Sequence, residues 1–253
     1  MAVLPLDEPF AVFSDIHGNL PALVAVLADV NARGYAQAFC LGDLVGYGPS
    51  PNEVVALVHA WGIPTLLGNY DQGIGFEQDS CGCAYATEEQ RLEGDVSFDW
   101  TRHAVTQEVK AQLRALADRF VLQTPCGELL AVHSSPRRIN EYLFEDRPVS
   151  ALERMARANP YRAILFGHTH RPYVRRVGGT VFANVGSVGR PKDGDWRACY
   201  ATVDPTSRAA GSPFVEFVRV EYDYAQLLRD LGTTPLITSF DGPVDSGRSA
   251  ERQ

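Results

Sequence analysis

Along the first part of the chain, apolar positions alternate between two rhythms. The short runs PFAVFS, QAFCLG and PTLLG each suit one buried strand, and between them LPALVAVLADVNARG and NEVVALVHAWG space their apolar residues as helices do. This order predicts β-α-β-α-β, a parallel arrangement with covering helices. Residues 72–105 break the rhythm with Gly73, Gly75, Asp79, Gly82, Gly94 and Asp95. That loop-like composition predicts an excursion across one end of the sheet, a candidate lid with Tyr85 or His103 reaching inward.

Helical spacing resumes from Trp100 to Ala117, and RFVLQ and ELLAVH, parted by Pro125-Cys126-Gly127, predict a hairpin. A helix from Ser150 to Ala158 and a strand AILFG follow. The runs YVRRV, TVFANVG, ACYATVD and FVEFVRVEY are then spaced like an antiparallel meander. From Ser239 the chain is polar with almost no large apolar residue, so a disordered tail over 239–253 is expected after a single domain spanning 1–238.

Composition narrows the function. With 253 residues, 45% of them hydrophobic, the chain can bury a substantial core. A formal charge of -8 argues against a broad basic groove for long nucleic acid. The start MAVLPLDEPF lacks a cationic leader pattern and the run Ala22 to Ala28 is too short to span a bilayer, so no membrane partner and a cytoplasmic location are expected. Five cysteines, at 40, 81, 83, 126 and 199, show no disulfide framework or CxxC pair. Cys81-Gly82-Cys83 is read as inert thiols, and His59 as packed within an apolar helix pattern.

Five predicted strands run into metal-capable side chains: Asp15 and His17, then Asp43, Asn69, His133, and finally His168 and His170. In open α/β sheets the ligand site lies beyond the carboxyl ends of the strands, where residues distant in sequence converge. A lone Asp or Asn after a strand is more often a turn residue or cap. Glycines after His17 and before Asp43, Asn69 and His168 instead suggest close backbone approach at each loop.

The segments SDIHGN, GDLVGYGP, GNYD, VHSSP and GHTH resemble the calcineurin-like metallophosphoesterase superfamily, in particular its small bacterial phosphodiesterase branch. The resemblance covers nearly the whole chain. It implies an α/β fold of two mixed sheets packed face to face as a sandwich, flanked by helices. It also implies one metal held by Asp15, His17 and His170, a second by Asn69, His133 and His168, and Asp43 bridging them. A carboxylate bridge can hold two divalent cations about 3.5–4 Å apart, so that a shared hydroxide becomes the nucleophile in an in-line displacement at phosphorus. The mixed imidazole, carboxylate and amide donors suit Mn or Fe, with Zn, Co or Ni as alternatives, better than Ca.

Two departures from the family pattern stand out. Tyr70 occupies the position of a histidine thought to protonate the leaving oxygen, and Val185 replaces a usual proline in NVGSVGRP. Tyrosine, with an ordinary pKa near 10, is a poor acid, so good leaving groups or a metal-bound water are expected to compensate. The catalytic candidates are Asp43, Asn69, Tyr70 and Asp71, the last orienting a ligand or capping a helix. Arg137, Arg138, Arg190 and His103 are candidates for substrate contacts, because guanidinium forks suit phosphate oxygens.

Other phosphate chemistries fail on the same letters. No cysteine precedes an arginine by six positions, neither Lys110 nor Lys192 follows a glycine, and Ser134 and Ser135 lack a specified base. The expected activity is hydrolysis of a small phosphate ester, with diesters favoured. Monoesters and nucleotide pyrophosphates remain alternatives, as do a metal-binding scaffold of the same fold and a homo-oligomeric assembly.

Overall fold

The computed structural model describes residues 3–206, 214–237 and 240–243. Two sheets face each other. The larger has the order β1-β4-β5-β6-β8-β7, built from Val3–Pro5, Arg119–Thr124, Gly127–Val132, Ala163–Phe166, Thr180–Asn184 and Tyr173–Val177. The smaller has the order β10-β9-β2-β3, built from Val215–Val220, Ala198–Val203, Phe10–Phe13 and Ala38–Cys40. Both are mixed: β2 runs parallel to β3 and antiparallel to β9, while β5 runs parallel to β6 and antiparallel to β4.

Strand alternation explains the layering. Successive side chains point to opposite faces. On β2, Phe10 and Val12 join Leu129, Ala131 and Leu165 in the core between the sheets, whereas Ala11 and Phe13 face α1 (Leu20–Ala32), α2 (Pro51–Ala60) and α3 (Asn69–Gly75). On β5 and β6, Leu130, Val132, Ile164 and Phe166 face outward onto Leu152, Met155 and Ala156 of α6 (Val149–Ala158). Strands covered on both faces read as continuous apolar runs, which is why β6, β8 and β9 are buried at every position.

Several expectations change. PTLLG is reduced to two isolated bridges, Cys40 with Thr65 and Leu66 with Ala117. The excursion is largely helical, with α4 covering Glu88–Ala104, and the helix expected from Trp100 to Ala117 is divided between the end of α4 and α5 (Gln107–Arg114). Thr87 caps α4 by accepting from the Gln90 N–H at 3.2 Å, Glu88 and Glu89 open it, and Arg102 and His103 end it. Gly94, read as a loop residue, sits mid-helix because the Tyr85 ring occupies the place its Cβ would take. The meander is split: β7 and β8 form a hairpin on the large sheet, β9 and β10 one on the small sheet. Apolar pattern alone does not assign a hairpin to a sheet.

A short first strand, β1, and a last helix, α7 (Tyr224–Leu231), add to the expected elements. Asp223 caps α7 by accepting from the Gln226 N–H at 2.8 Å, a start signal visible in the letters. Of the expected tail, Ser239 and residues 244–253 lie outside the described residues. Phe240, within the span expected as tail, is buried in the core and its carbonyl accepts from the Tyr224 hydroxyl at 2.8 Å. His59 faces solvent rather than packing inward.

Candidate metal centre

The loops that leave β2, β3, β5 and β6 converge at one edge of the sandwich. They bring six of the expected ligands together in buried positions, and the first turn of α3 adds the seventh, Asn69. Asp15, His17 and His170 form one group, and Asp43, His133 and His168 another, with donor atoms in each within 4.8 Å of one another. Asn69, at the first turn of α3, places its Oδ1 3.0 Å from His133 Nε2. Asp43 Oδ2 lies between the groups, 3.6 Å from His17 Nε2 and 3.5 Å from His133 Nε2.

The backbone is forced to deliver these side chains. Asp15, His17, Asp43, His168 and His170 all adopt positive φ, between 48° and 68°, a region that L-residues with a Cβ avoid and that concentrates at functional sites. Glycine makes the close approaches possible. A Cβ on Gly68 would strike the Asp43 carboxylate, and one on Gly167 the Asp15 carboxylate. The tight loops expected at these two glycines are both present.

Three imidazoles are aimed the same way. The Nδ1 atoms of His17, His133 and His170 donate to the carbonyl oxygens of Val45, Leu41 and Arg190 at 3.0, 2.9 and 2.6 Å. A carbonyl only accepts, so Nδ1 carries the proton and Nε2 turns a lone pair to the centre. Two such lone pairs, on His17 and His170, lie 3.1 Å apart. Asn69 donates its amide to the Cys81 carbonyl at 3.1 Å and to Cys83 Sγ at 3.2 Å, which leaves Oδ1 as another acceptor facing His133 Nε2. His168 Nε2 and Asp15 Oδ1 are buried and make no hydrogen bond among the described residues. Acceptors packed against acceptors in a buried site call for cations, and the donor set fits two of them.

Electrostatics agree. Burial first, then neighbouring positive imidazoles or Lys192, holds His17, His168 and His170 below the usual imidazole range, in the neutral form that binds metal. Burial and the charges of Asp71 and Asp15 push Asp43 well above the usual carboxylate range. For Asp15, burial acts upward, but the imidazoles of His170, His133 and His17 outweigh it and its pKa falls.

The remaining candidates separate. Asp71 does not face the centre: its carboxylate accepts from the N–H groups of Asp43 (2.8 Å), Leu44 (2.9 Å), Val45 (3.3 Å) and Gly68 (3.1 Å). It therefore caps α3 and fixes the Asp43 loop, with its own pKa pushed up to about 6 by burial against the pull of those bonds. Tyr70 donates its backbone N–H to Asp43 Oδ1 at 2.8 Å, while its hydroxyl reaches inward to Ser97 Oγ at 3.5 Å. Burial raises that hydroxyl well above the ordinary range, so Tyr70 positions Asp43 through its backbone and is not placed as a proton donor.

Arg190 lies in a cleft beside the ligands, its guanidinium 4.2 Å from the Tyr47 ring centroid and paired with Glu93 at 2.5 Å. Arg137 and Arg138 are exposed and line a different recess, next to His133, with Arg137 engaged by Glu141. His103 is not brought to the site. It falls on the outer face of α4, away from the inward Gly94, Ser97, Phe98 and Thr101, and meets the Asp99 carbonyl oxygen. Cys81 and Cys83, expected as independent thiols, are paired with each other. Sequence reasoning missed Tyr47, Tyr142, Phe144 and Lys192, which line the cleft with Arg190; Tyr47 lies within GDLVGYGP, which could have flagged it, whereas the other three fall outside the segments that carry the resemblance.

Comparison with known proteins matches this geometry. The chain is 33% identical over 232 residues to the uncharacterized protein MJ0912 of Methanocaldococcus jannaschii, covering 84% of this chain and 87% of that one. A metallophosphoesterase structure from Sphaerobacter thermophilus aligns with a TM-score of 0.68 at 28% identity, covering 90% of this chain and 94% of the other. The hypothetical protein PH1004 of Pyrococcus horikoshii shares the fold, with a TM-score of 0.75 at 24% identity over 93% and 94% of the two chains. No helix among the described residues is long and apolar enough to cross a membrane. The model of the calcineurin-like phosphoesterase superfamily domain matches residues 9–208, the span that carries every one of the seven converging ligands, and the chain belongs to that superfamily.

Proposed function

We propose that this protein hydrolyses small phosphate esters with two divalent cations, with diesters preferred over monoesters and nucleotide pyrophosphates. The observation that carries the reading is the pairing of acceptor with acceptor in a buried site: His17 Nε2 against His170 Nε2 at 3.1 Å, and His133 Nε2 against Asn69 Oδ1 at 3.0 Å. Asp15, His17 and His170 would hold one cation, Asn69, His133 and His168 the other, and Asp43 both, with Mn or Fe as the preferred ions. Such a pair, when bound, supplies an acidified water for in-line attack at phosphorus and positive charge for the phosphate oxygens.

The chain's own groups do the rest. The three backbone carbonyls hold the rings of His17, His133 and His170 in one tautomer, and Asp71 and the Tyr70 N–H hold the Asp43 loop rigid. Arg190, oriented by Tyr47 and Glu93, is set to receive phosphate oxygens. With the Tyr70 hydroxyl turned to Ser97, departure of the ester oxygen relies on good leaving groups or solvent.

The test is turnover of bis(p-nitrophenyl) phosphate and p-nitrophenyl phosphate by metal-stripped protein before and after reconstitution with Mn. Diester turnover that returns only with metal supports the reading. Stoichiometric metal binding with no turnover of either ester, across Mn, Fe and Zn, would transfer the site to a non-catalytic binding role.

A further inference from the structure

Beside the metal ligands opens a cleft of about 560 Å³, within the size range of small-molecule sites. Aromatic rings lead into it from the centre. The Tyr142 ring centroid lies 4.3 Å from that of the ligand His168, and Phe144 stacks on Tyr142 at 5.6 Å with an interplanar angle of 19°. Phe144 keeps 43% of its surface exposed, so the outer ring of this stack is offered to solvent. The Tyr142 hydroxyl donates to the Ala84 carbonyl at 3.4 Å, which anchors the shelf to the loop that also positions Asn69.

The same cleft has a basic side. Arg171, Arg190 and Lys192 outnumber Glu93 and Asp241 in its lining, with Glu93 paired to Arg190, in a chain whose overall charge is negative. Arg171 donates through Nε to the Lys192 carbonyl at 2.9 Å, and the Arg190 N–H to Ser187 Oγ at 2.8 Å, so the basic segment is braced rather than loose. A flat apolar shelf next to cations and a phosphate-ester centre complements a ligand that has an aromatic ring at one end and phosphate at the other. Because Phe144 stands one ring farther from the centre than Tyr142, a spacer of about one sugar is needed between ring and phosphate.

Resting on the hydrolase reading above, we propose that the cleft selects nucleoside phosphate esters, with the base stacked on Phe144 and Tyr142 and the phosphate directed to the ligands and Arg190. Phe144 is then a specificity determinant that takes no part in holding metal. Stacking of a base on an aromatic side chain is strong enough to be read as an affinity difference of roughly tenfold or more.

The experiment is calorimetric titration of the metal-loaded protein with a non-hydrolysable phosphonate analogue of AMP, the matching analogue of ribose 5-phosphate, and phenylphosphonate. The AMP analogue is expected to bind at least about tenfold more tightly than either of the others, and Phe144→Ala to erase that preference while leaving the ribose analogue's affinity unchanged. Equal affinities in the unmodified protein, tight phenylphosphonate binding, or a preference that survives both Phe144→Ala and Tyr142→Leu would each overturn the assignment. Turnover of bis(p-nitrophenyl) phosphate is measured in parallel. Its absence defeats the hydrolase reading, whereas its presence with no base preference defeats only this inference.

Discussion

Val12 on β2 and Leu165 on β6 are fully buried strand residues that meet the opposite sheet through apolar contacts. Three residues beyond each of them, Asp15 and His168 are also buried, yet both adopt positive φ and both carry a polar atom without a hydrogen bond among the described residues. The interior of the sandwich and its rim thus share strands but differ in what satisfies them. Interior residues are satisfied by their neighbours within the chain. Rim residues are held in a strained, acceptor-rich arrangement that the protein alone leaves incomplete, the signature of a site organised for something it binds.

The sharpest way to separate the two regions is to alter one residue in each. Asp43→Asn is expected to lower metal-dependent ester turnover by about a thousandfold or more, equivalent to roughly 4 kcal/mol of barrier, measured by initial rates at saturating Mn. In metal-free protein the same change should not lower the melting temperature at neutral pH. Asp43 has a folded pKa above its unfolded value, so its ionisation penalises folding. The penalty is absent below the unfolded pKa and grows as pH rises toward the folded one, and an amide removes it. Metal-free Asp43→Asn melting well below the unmodified protein would break the comparison.

For the interior, Leu165→Ala should cost about 2–5 kcal/mol in chemical denaturation, with any loss of turnover explained by unfolding alone. Asp71→Asn lies between the regions. Its amide would present N–H groups to backbone donors now received by a carboxylate, so metal affinity should fall roughly 10- to 100-fold in competition with a chelator. Unchanged affinity would show that the Asp43 loop needs no such brace. Thr87→Ala removes the α4 cap and should cost about 1 kcal/mol without altering metal binding. Tyr70→Phe is expected to change diester turnover by less than about tenfold, since the hydroxyl faces Ser97; a loss of several orders of magnitude would identify it as the missing acid.

Much of the centre was legible because ligands at strand ends leave a double trace, a metal-capable side chain and an adjacent glycine. Gly68 and Gly167 show why: each makes room for a carboxylate from a loop distant in sequence. The outward and inward faces of β2 and β5 likewise follow from alternation. What the letters concealed are tertiary choices. Gly94 reads as a loop residue until the Tyr85 ring is seen against it, and His103 as a candidate until its helical phase turns it outward. Tyr142 and Phe144 carry no periodic signal, because their importance lies in their neighbours: Tyr142 packs against His168, and Phe144 stacks on Tyr142. Arg137 and Arg190 look alike in sequence, and only packing sends one to Glu141 and the other into the cleft.

The candidate ligands come from both sheets: Asp15, His17 and Asp43 follow strands of the small one, His133, His168 and His170 strands of the large one. Any ion held jointly by His17 and His170, or by Asp43 and His133, is therefore a rivet through the sandwich. Sliding one sheet past the other would have to tear coordination bonds at that edge, whereas toward the opposite end the sheets meet through apolar contacts and the Arg162 guanidinium over the Phe214 ring. A molecule carrying such ions would accordingly be clamped at one side and stiffest at the candidate centre.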